Sequence, residues 1–414
     1  MKRFAWFCAV ALLLGFARPA VADDGPWWTW STMTGDWGGL RTTLADRGIT
    51  FQAGELATFH ANTGGVPHSN HHSAFASQFD LVNEIDFGKL VGLTGFLIHS
   101  EMWWQAGTDL TNRDIGNLFD VSPAYGPNGI YLGQLYAQQT LLDGGLVLQL
   151  GRLATGSTFA TMPVFNDYLN TAVNSNPASQ PLNTPAFTST PAVEWGAVVT
   201  YAPIEQLQLA AGIYDTDPDS AAPRASANGT HFALRPGKGV LAVGQVAYQL
   251  NQAKGDAGMP GTYAFGGFYA SDDYADLESG RNRSGNYGFY AMAQQMVYRE
   301  GGPDSSVGLT PWLAIAWQPQ QDINLMPFFL AAGATYQGLF PGRADDTAAF
   351  MVAYGKISNT QPHTTGEVVV ELDYTLAATP WLAVTPDFQY VFNPSGGSGA
   401  NNAAVFGAQL AFTF

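Results

Sequence analysis

The chain has 414 residues and a formal charge of -16, with 46% apolar residues, 13% aromatics, 47 Gly and one Cys. Only 12% is Asp, Glu, Lys or Arg, about half the share usual in a soluble domain. The lone Cys excludes a disulfide framework and a cysteine-built zinc ribbon, the 17 basic residues against 33 acidic ones exclude the basic footprint of a nucleic-acid binder, and the apolar content excludes a long disordered chain.

The first 22 residues have the layout of an export signal. Lys2 and Arg3 precede an apolar run over 4–16, and Ala20-Val21-Ala22 forms a small-x-small cleavage site before Asp23. The run is too short to span a bilayer as a helix, and Cys8 lies inside it rather than at its end, against a lipoprotein. Losing Lys2, Arg3 and Arg18 with the signal takes the formal charge from -16 to -19. The expected organisation is a signal at 1–22, an N-terminal helical segment at 23–48 and a β-barrel at 49–414. In the second segment Asp36 is placed to cap a helix over 36–47, Gly48 suits the left-handed C′ position, and Leu40 and Leu44 share a face. Gly38 and Gly39 weaken it, so it needs tertiary support. It is read as a periplasmic plug or brace with Trp37 and Leu40 packed.

Beyond the helix the hydropathy alternates with period two, the signature of a strand. Val368, Val370, Leu372, Tyr374 and Leu376 share one face, opposite Glu367, Glu371, Asp373 and Thr375. Leu382, Val384, Phe388, Tyr390 and Phe392 lie opposite Thr385, Asp387 and Gln389. Phe406, Ala408, Leu410, Phe412 and Phe414 lie opposite Gly407, Gln409 and Thr413. Strands are expected near 49–60, 76–87, 94–104, 130–141, 145–152, 193–202, 206–214, 240–250, 261–270, 286–298, 307–318, 323–336, 347–357, 366–377, 380–392 and 403–414. Sixteen is an even number, as bacterial outer-membrane barrels require. Asp143-Gly144-Gly145, 203–205 and 378–380 mark short turns, expected to face the periplasm. Long Pro/Asn/Ser/Gly segments at 61–75, 105–129, 153–192 and 215–239 are expected to face outward. The segment 337–346 is long for a turn, and 319–322 is short for an outer loop.

A soluble sandwich also alternates, but its polar face is rich in Lys and Glu. A transmembrane antiparallel barrel turns its apolar face to lipid, its polar face to a wet lumen, and aromatic girdles to both interfaces. Low charge, abundant aromatics near strand ends and the export signal select the all-β transmembrane barrel. Its charges are then expected in the lumen and loops.

Strand parity selects lumen residues. Asp80, Glu84 and Asp86 lie opposite Phe79, Leu81 and Ile85; His99, Glu101 and Trp103 lie opposite Phe96, Ile98 and Met102. Glu367, Glu371, Asp373, Asp387, Gln389 and Gln409 follow near the C-terminus. Carboxylates and amides match sugar hydroxyls, and flat rings match the C–H faces of a sugar. Each of these positions also fits a solvated wall residue without a sugar contact. Arg152 closes the strand before the longest loop; it fits either a constriction or a pair with loop carboxylates. His68, His71 and His72 cluster in one loop, where an exposed polar loop is a simpler reading than a metal site. No metal or other cofactor is expected. The phosphate-loop, H-E-x-x-H and G-x-S-x-G motifs are missing from the sequence.

The block Gly35-Asp-Trp-Gly-Gly-Leu-Arg-Thr-Thr-Leu-Ala-Asp-Arg-Gly-Ile49 resembles the N-terminal hallmark of the carbohydrate-selective porin family (OprB-like). Lys89-Leu-Val-Gly-Leu-Thr-Gly95, Leu141-Leu-Asp-Gly-Gly-Leu-Val-Leu-Gln-Leu-Gly-Arg152, Gly338-Leu-Phe-Pro-Gly-Arg-Ala-Asp-Asp346, Thr379-Pro-Trp-Leu-Ala-Val-Thr-Pro-Asp-Phe-Gln-Tyr390 and the terminal Phe414 continue the likeness. It is specific at the two ends of the chain and weak over 153–285. The resemblance implies a sixteen-stranded porin in the outer membrane of a Gram-negative bacterium. Its partners would be mono- or oligosaccharides that diffuse through it and outer-membrane lipid, with a homo-oligomer compatible. It carries over no residue that selects a particular sugar. The other class that fits an exported barrel is an outer-membrane enzyme or polysaccharide exporter.

Overall fold

Period-two alternation resolves into β1 (Ile49–Gly64), β2 (Ser73–Asp86), β3 (Phe96–Gly107), β4 (Gly129–Leu141), β5 (Leu146–Leu153), β6 (Glu194–Ile204), β7 (Leu207–Asp215), β8 (Val240–Leu250), β9 (Gly261–Ala275), β10 (Asn282–Gln295), β11 (Tyr298–Arg299), β12 (Gly308–Trp317), β13 (Phe328–Gln337), β14 (Thr347–Lys356), β15 (Gly366–Thr379), β16 (Leu382–Phe392) and β17 (Ala403–Thr413). The structure, a computed structural model, describes residues 25–64, 72–124, 126, 128–216, 228–230, 232–233, 239–253, 255–362, 365–397 and 401–414. The expected signal at 1–22, His68 and His71 lie outside these residues. Sequence neighbours pair antiparallel throughout. The ring closes where β1 meets β17, from Gly54 opposite Thr413 to Gly64 opposite Ala404. β10 and the two-residue β11 both pair with β12 and act as one stave. The result is a closed barrel of sixteen staves.

Aromatic side chains stand on the outside near both rims. Phe59, Phe75, Trp104, Tyr269, Phe289, Trp317 and Phe406 are exposed toward one end, and Tyr201, Tyr248, Tyr263, Tyr298 and Phe340 toward the other. This is the double girdle that membrane interfaces select. The outward face is not apolar throughout. Glu55 alternates with the inward Gly54 and Leu56 and stands opposite Phe412 and Phe79, and Ser77 and Asn83 share the outward face of β2.

Three boundaries are corrected. β1 and β2 extend through 61–64 and 73–75, shortening the first loop. β13 begins at Phe328 rather than 323, because Asn324 and Met326 turn into the barrel: Asn324 Nδ2 donates to the side chain of Asn286 at 3.0 Å, and the Met326 N–H donates to Asn183 at 3.0 Å. The connection at 318–327 is thereby a full outer-end loop, and 338–346 is a turn at the other end. Asp86 does not face the lumen. It caps α2 (Phe87–Val91) by accepting from the Gly88 and Lys89 N–H groups.

The N-terminal helix is α1 (Leu40–Asp46), shorter than expected. Asp36 still serves its first turn, since its carboxylate accepts from the Thr42 N–H at 2.8 Å and hydroxyl at 2.9 Å. Gly48 has φ +92°, as its C′ position requires. Trp37 and Leu40, however, are 42% and 53% exposed, so the segment plugs nothing with that face. It is a strap on the turn-end rim: Arg41 donates to the Phe414 carbonyl at 2.6 Å, the Met33 N–H donates to the Thr413 carbonyl at 2.7 Å, and Trp27 packs on Trp381 at 4.4 Å.

The inner wall is unequal. From β7 to β14 the inward positions are mostly small or apolar, among them Ala210, Ala247, Ala264, Ala314, Ala331, Ala349 and Ala353. Against them pack the loops 108–128 and 154–193, whose Phe119, Phe159, Phe165, Tyr168 and Phe187 are fully or almost fully buried. The alternation thus hides an apolar core inside the barrel. The polar inward residues concentrate on the arc running from β15 through the seam to β4.

Candidate functional site

The polar arc and the two folded-in loops face each other inside the barrel. Between them a cavity of about 80 Å³ is lined by Leu56, Gln78, Trp103 and Gln409 from the wall and by Pro123, Asn166, Tyr168, Asn174, Ser175 and Thr190 from the loops. Trp103 and Gln409, both selected by strand parity, line this cavity. The loop contributors were missed, because the segment 154–193 has no periodicity from which a side-chain direction can be read. Tyr168 is held there by the wall: its hydroxyl donates to the Phe350 carbonyl and accepts from the Trp312 indole N–H at 2.7 Å.

Next to this cavity, Asp80 stands opposite Trp103 and over Gly54, where a Cβ would come within 2.9 Å of the Asp80 carboxylate. Glu101 accepts from Gln134 Nε2 at 3.3 Å. One rung toward the turn end, His99 Nδ1 lies 3.1 Å from Glu84 Oε1, and its ring stacks on Tyr136 at 4.6 Å. The Glu84 side chain is 41% exposed, the most open acid among the expected lumen residues.

The C-terminal acids face inward, as parity indicated, and two of them, Glu367 and Glu371, hold loops. Glu367 accepts from the N–H groups of Leu118, Phe119 and Ser395. Glu371 Oε1 accepts from the Leu169 and Asn170 N–H groups at 2.7 and 2.8 Å. Gln389 accepts from Asn170 Nδ2 and donates to the Val121 carbonyl. Asp387 Oδ2 lies 3.0 Å from His60 Nε2. Glu371, Asp373 and Asp387 bring carboxylate oxygens within 4.8 Å of one another, a grouping the sequence reading did not single out. Arg152 lies apart from the cavity: it is buried, donates to the Gly229 carbonyl at 2.6 Å and covers the Phe232 ring at 5.3 Å. His72 lies 3.6 Å from the buried Asp114 carboxylate.

A closed barrel with interface girdles and inserted loops that narrow a polar path defines a porin. The chain belongs to the carbohydrate-selective porin, OprB family, whose model matches residues 70–414. It is similar to Porin B of Pseudomonas aeruginosa, at 25% identity over 449 aligned residues covering 99% of this chain and 96% of that one. Among solved structures it is similar to the high-pH form of Pseudomonas putida OprB, at 23% identity and TM-score 0.84, covering 93% of this chain and 99% of that one. The low-pH form of the same protein matches at 21% identity and TM-score 0.60 over the same shares of the two chains.

Proposed function

We propose that this chain is an outer-membrane porin through which mono- and oligosaccharides diffuse passively, and that residues 1–22 direct its export. The family supports sugar passage, and the double aromatic girdle supports lipid as its surroundings. The observation that carries the reading at residue level is the cavity lined by the Trp103 and Tyr168 rings and by the amides of Gln78, Asn166, Asn174 and Gln409, taken here as the constriction. Rings offer flat apolar surface to the C–H faces of a sugar, and amides both donate to and accept from its hydroxyls. Such contacts offset the loss of hydration at the narrowest point while remaining weak enough for release. Passage needs no catalytic group.

The test is liposome swelling with a size-matched series of sugars, amino acids and salts, run on the wild type and on Trp103→Ala. Sugars should enter the wild-type vesicles faster than other neutral solutes of the same size, and the variant should lose that margin. Rates that follow size alone in the wild type would reject sugar selectivity at this constriction.

A further inference from the structure

On the inner wall Asp373 stands directly opposite Asp387, and Glu371 is opposite Gln389 on the next inward rung. Like charges placed directly across a sheet repel, and here a third carboxylate joins them, with ligand oxygens all within 4.8 Å. Burial removes the water that would screen such a group: Glu371, Asp373 and Asp387 are 0%, 2% and 5% exposed. Among the described residues no Lys or Arg lies within ion-pair distance of any of the three; the nearest basic group is His60, on Asp387 Oδ2 at 3.0 Å.

The way the oxygens are used is the second observation. Glu371 Oε1 is fixed by two loop N–H groups, and Asp387 Oδ2 by His60 and by Gln389 Nε2 at 3.1 Å. These bonds orient the remaining oxygens. Glu371 Oε2, Asp387 Oδ1 and both oxygens of Asp373 are buried and meet no protein donor among the described residues. Asp373 is thus almost wholly buried with neither oxygen taken up by the protein. Buried carboxylates are ordinarily hydrogen-bonded or paired, and three buried carboxylates with oxygens within 4.8 Å of one another and a donor-free oxygen on each match the ligand shell of a hard divalent cation.

We propose that Glu371, Asp373 and Asp387 bind a divalent cation of the calcium type within the barrel wall, bridging β15 and β16. Calcium takes an irregular shell of oxygen ligands, about six to eight in number. The four donor-free oxygens supply part of it, and water from the lumen completes it. Because Glu371 also holds Leu169 and Asn170, the ion would brace the loop that contributes Tyr168 to the constriction. This assignment stands independently of which solute the pore passes.

Calcium alone, titrated calorimetrically into the detergent-purified, EDTA-treated full barrel, tests it. The wild type should bind one ion per chain, and Asp373→Asn should weaken binding at least tenfold. No uptake by the folded wild type, or equal affinity in the variant, would overturn the assignment. Should the variant fail to fold, terbium soaked into wild-type crystals decides: an anomalous peak among the three carboxylates is expected, and its absence there overturns the proposal.

Discussion

Glu367 offers the sharpest test of the idea that wall carboxylates hold the loops in the barrel. Its two oxygens accept from Leu118 at 2.8 and 3.0 Å, from Phe119 at 2.9 Å and from Ser395 at 2.7 Å, so one side chain fastens the loop 108–128 and the connection after β16. In Glu367→Gln one oxygen becomes an NH₂ that faces an N–H group, and the other loses its charge. A hydrogen bond to a charged group contributes about 1.5–3 kcal/mol net and a neutral one about 0.5–1.5. Losing one bond and weakening the others therefore costs roughly 2–3 kcal/mol, or about 30- to 150-fold in the population of the released loop. Hydrogen exchange read by mass spectrometry on peptides covering 117–120 and 394–396 measures that population directly. Exchange there should accelerate by about that factor, with strand amides unchanged, and single-channel records should show new, larger conductance levels as the loop leaves the lumen. Wild-type exchange rates at Leu118, Phe119 and Ser395 in the variant would refute the clamp.

Deleting residues 23–47 should lower the melting temperature, because the Arg41–Phe414, Met33–Thr413 and Trp27–Trp381 contacts go together, while leaving single-channel conductance unchanged; altered conductance at unaltered melting would return the segment to the role of a plug. Replacing Glu84 and Glu101 with Gln should reduce a modest preference for cations over anions, read as the reversal potential in a salt gradient, and an anion preference in the wild type would show that these acids do not set the field of the pore. In the turn 338–346, burial opposes ionisation of Asp346, but a two-pronged bond from Arg343 (2.7 and 2.8 Å), the Tyr374 hydroxyl and the Ala377 N–H outweigh it and hold the carboxyl below its ordinary value. A lowered carboxyl pKa stabilises the fold above the unfolded-state value, and that contribution is lost as pH falls through the folded one. The melting temperature of the wild type should therefore fall more steeply below about pH 4 than that of Asp346→Asn, which starts lower at neutral pH; parallel curves would contradict the assignment.

The staves were legible because their residues alternate between two faces, the outer one largely apolar. Val368, Val370 and Leu372 against Glu367, Glu371 and Asp373 leave only one orientation, and that orientation is the one found. What a residue meets on the inner side left no such trace. Parity turns Glu371 and Trp103 inward alike, yet one holds the main chain of a loop and the other lines the cavity against the loops. The difference lies in 154–193, where buried Asn170, Phe165 and Tyr168 follow no period because their directions are set by the wall they fold against. The rim strap was misread for a related reason. The helix signal in Gly48 is local and holds, and Asp36 still serves the first turn although Gly39 takes the cap position, whereas the exposure of Trp37 and Leu40 depends on how the segment meets Phe414 and Trp381.

The apolar half of the inner wall changes what the composition means. A barrel with water on its whole inner surface would need polar residues at every inward position, and the chain has too few charges for that. Between β7 and β14 it needs few, such as Gln245 and Asn286, because Ala210, Ala264, Ala314, Ala331 and Ala349 leave room for the rings of the inserted loops to pack. Buried apolar contact of this kind keeps a loop inside the lumen without a network of ion pairs. The polar arc is then relieved of part of the holding and can offer Gln78, Glu84, Glu101 and Trp103 to the path. A path along the arc from β15 to β4, as proposed above, would set solute selection there rather than around the full circumference. Substitutions on the two halves should accordingly have different signatures. Enlarging an inward alanine pushes on the loop core and costs folding stability first, whereas changing Gln78 or Trp103 alters permeation while the barrel melts nearly as before.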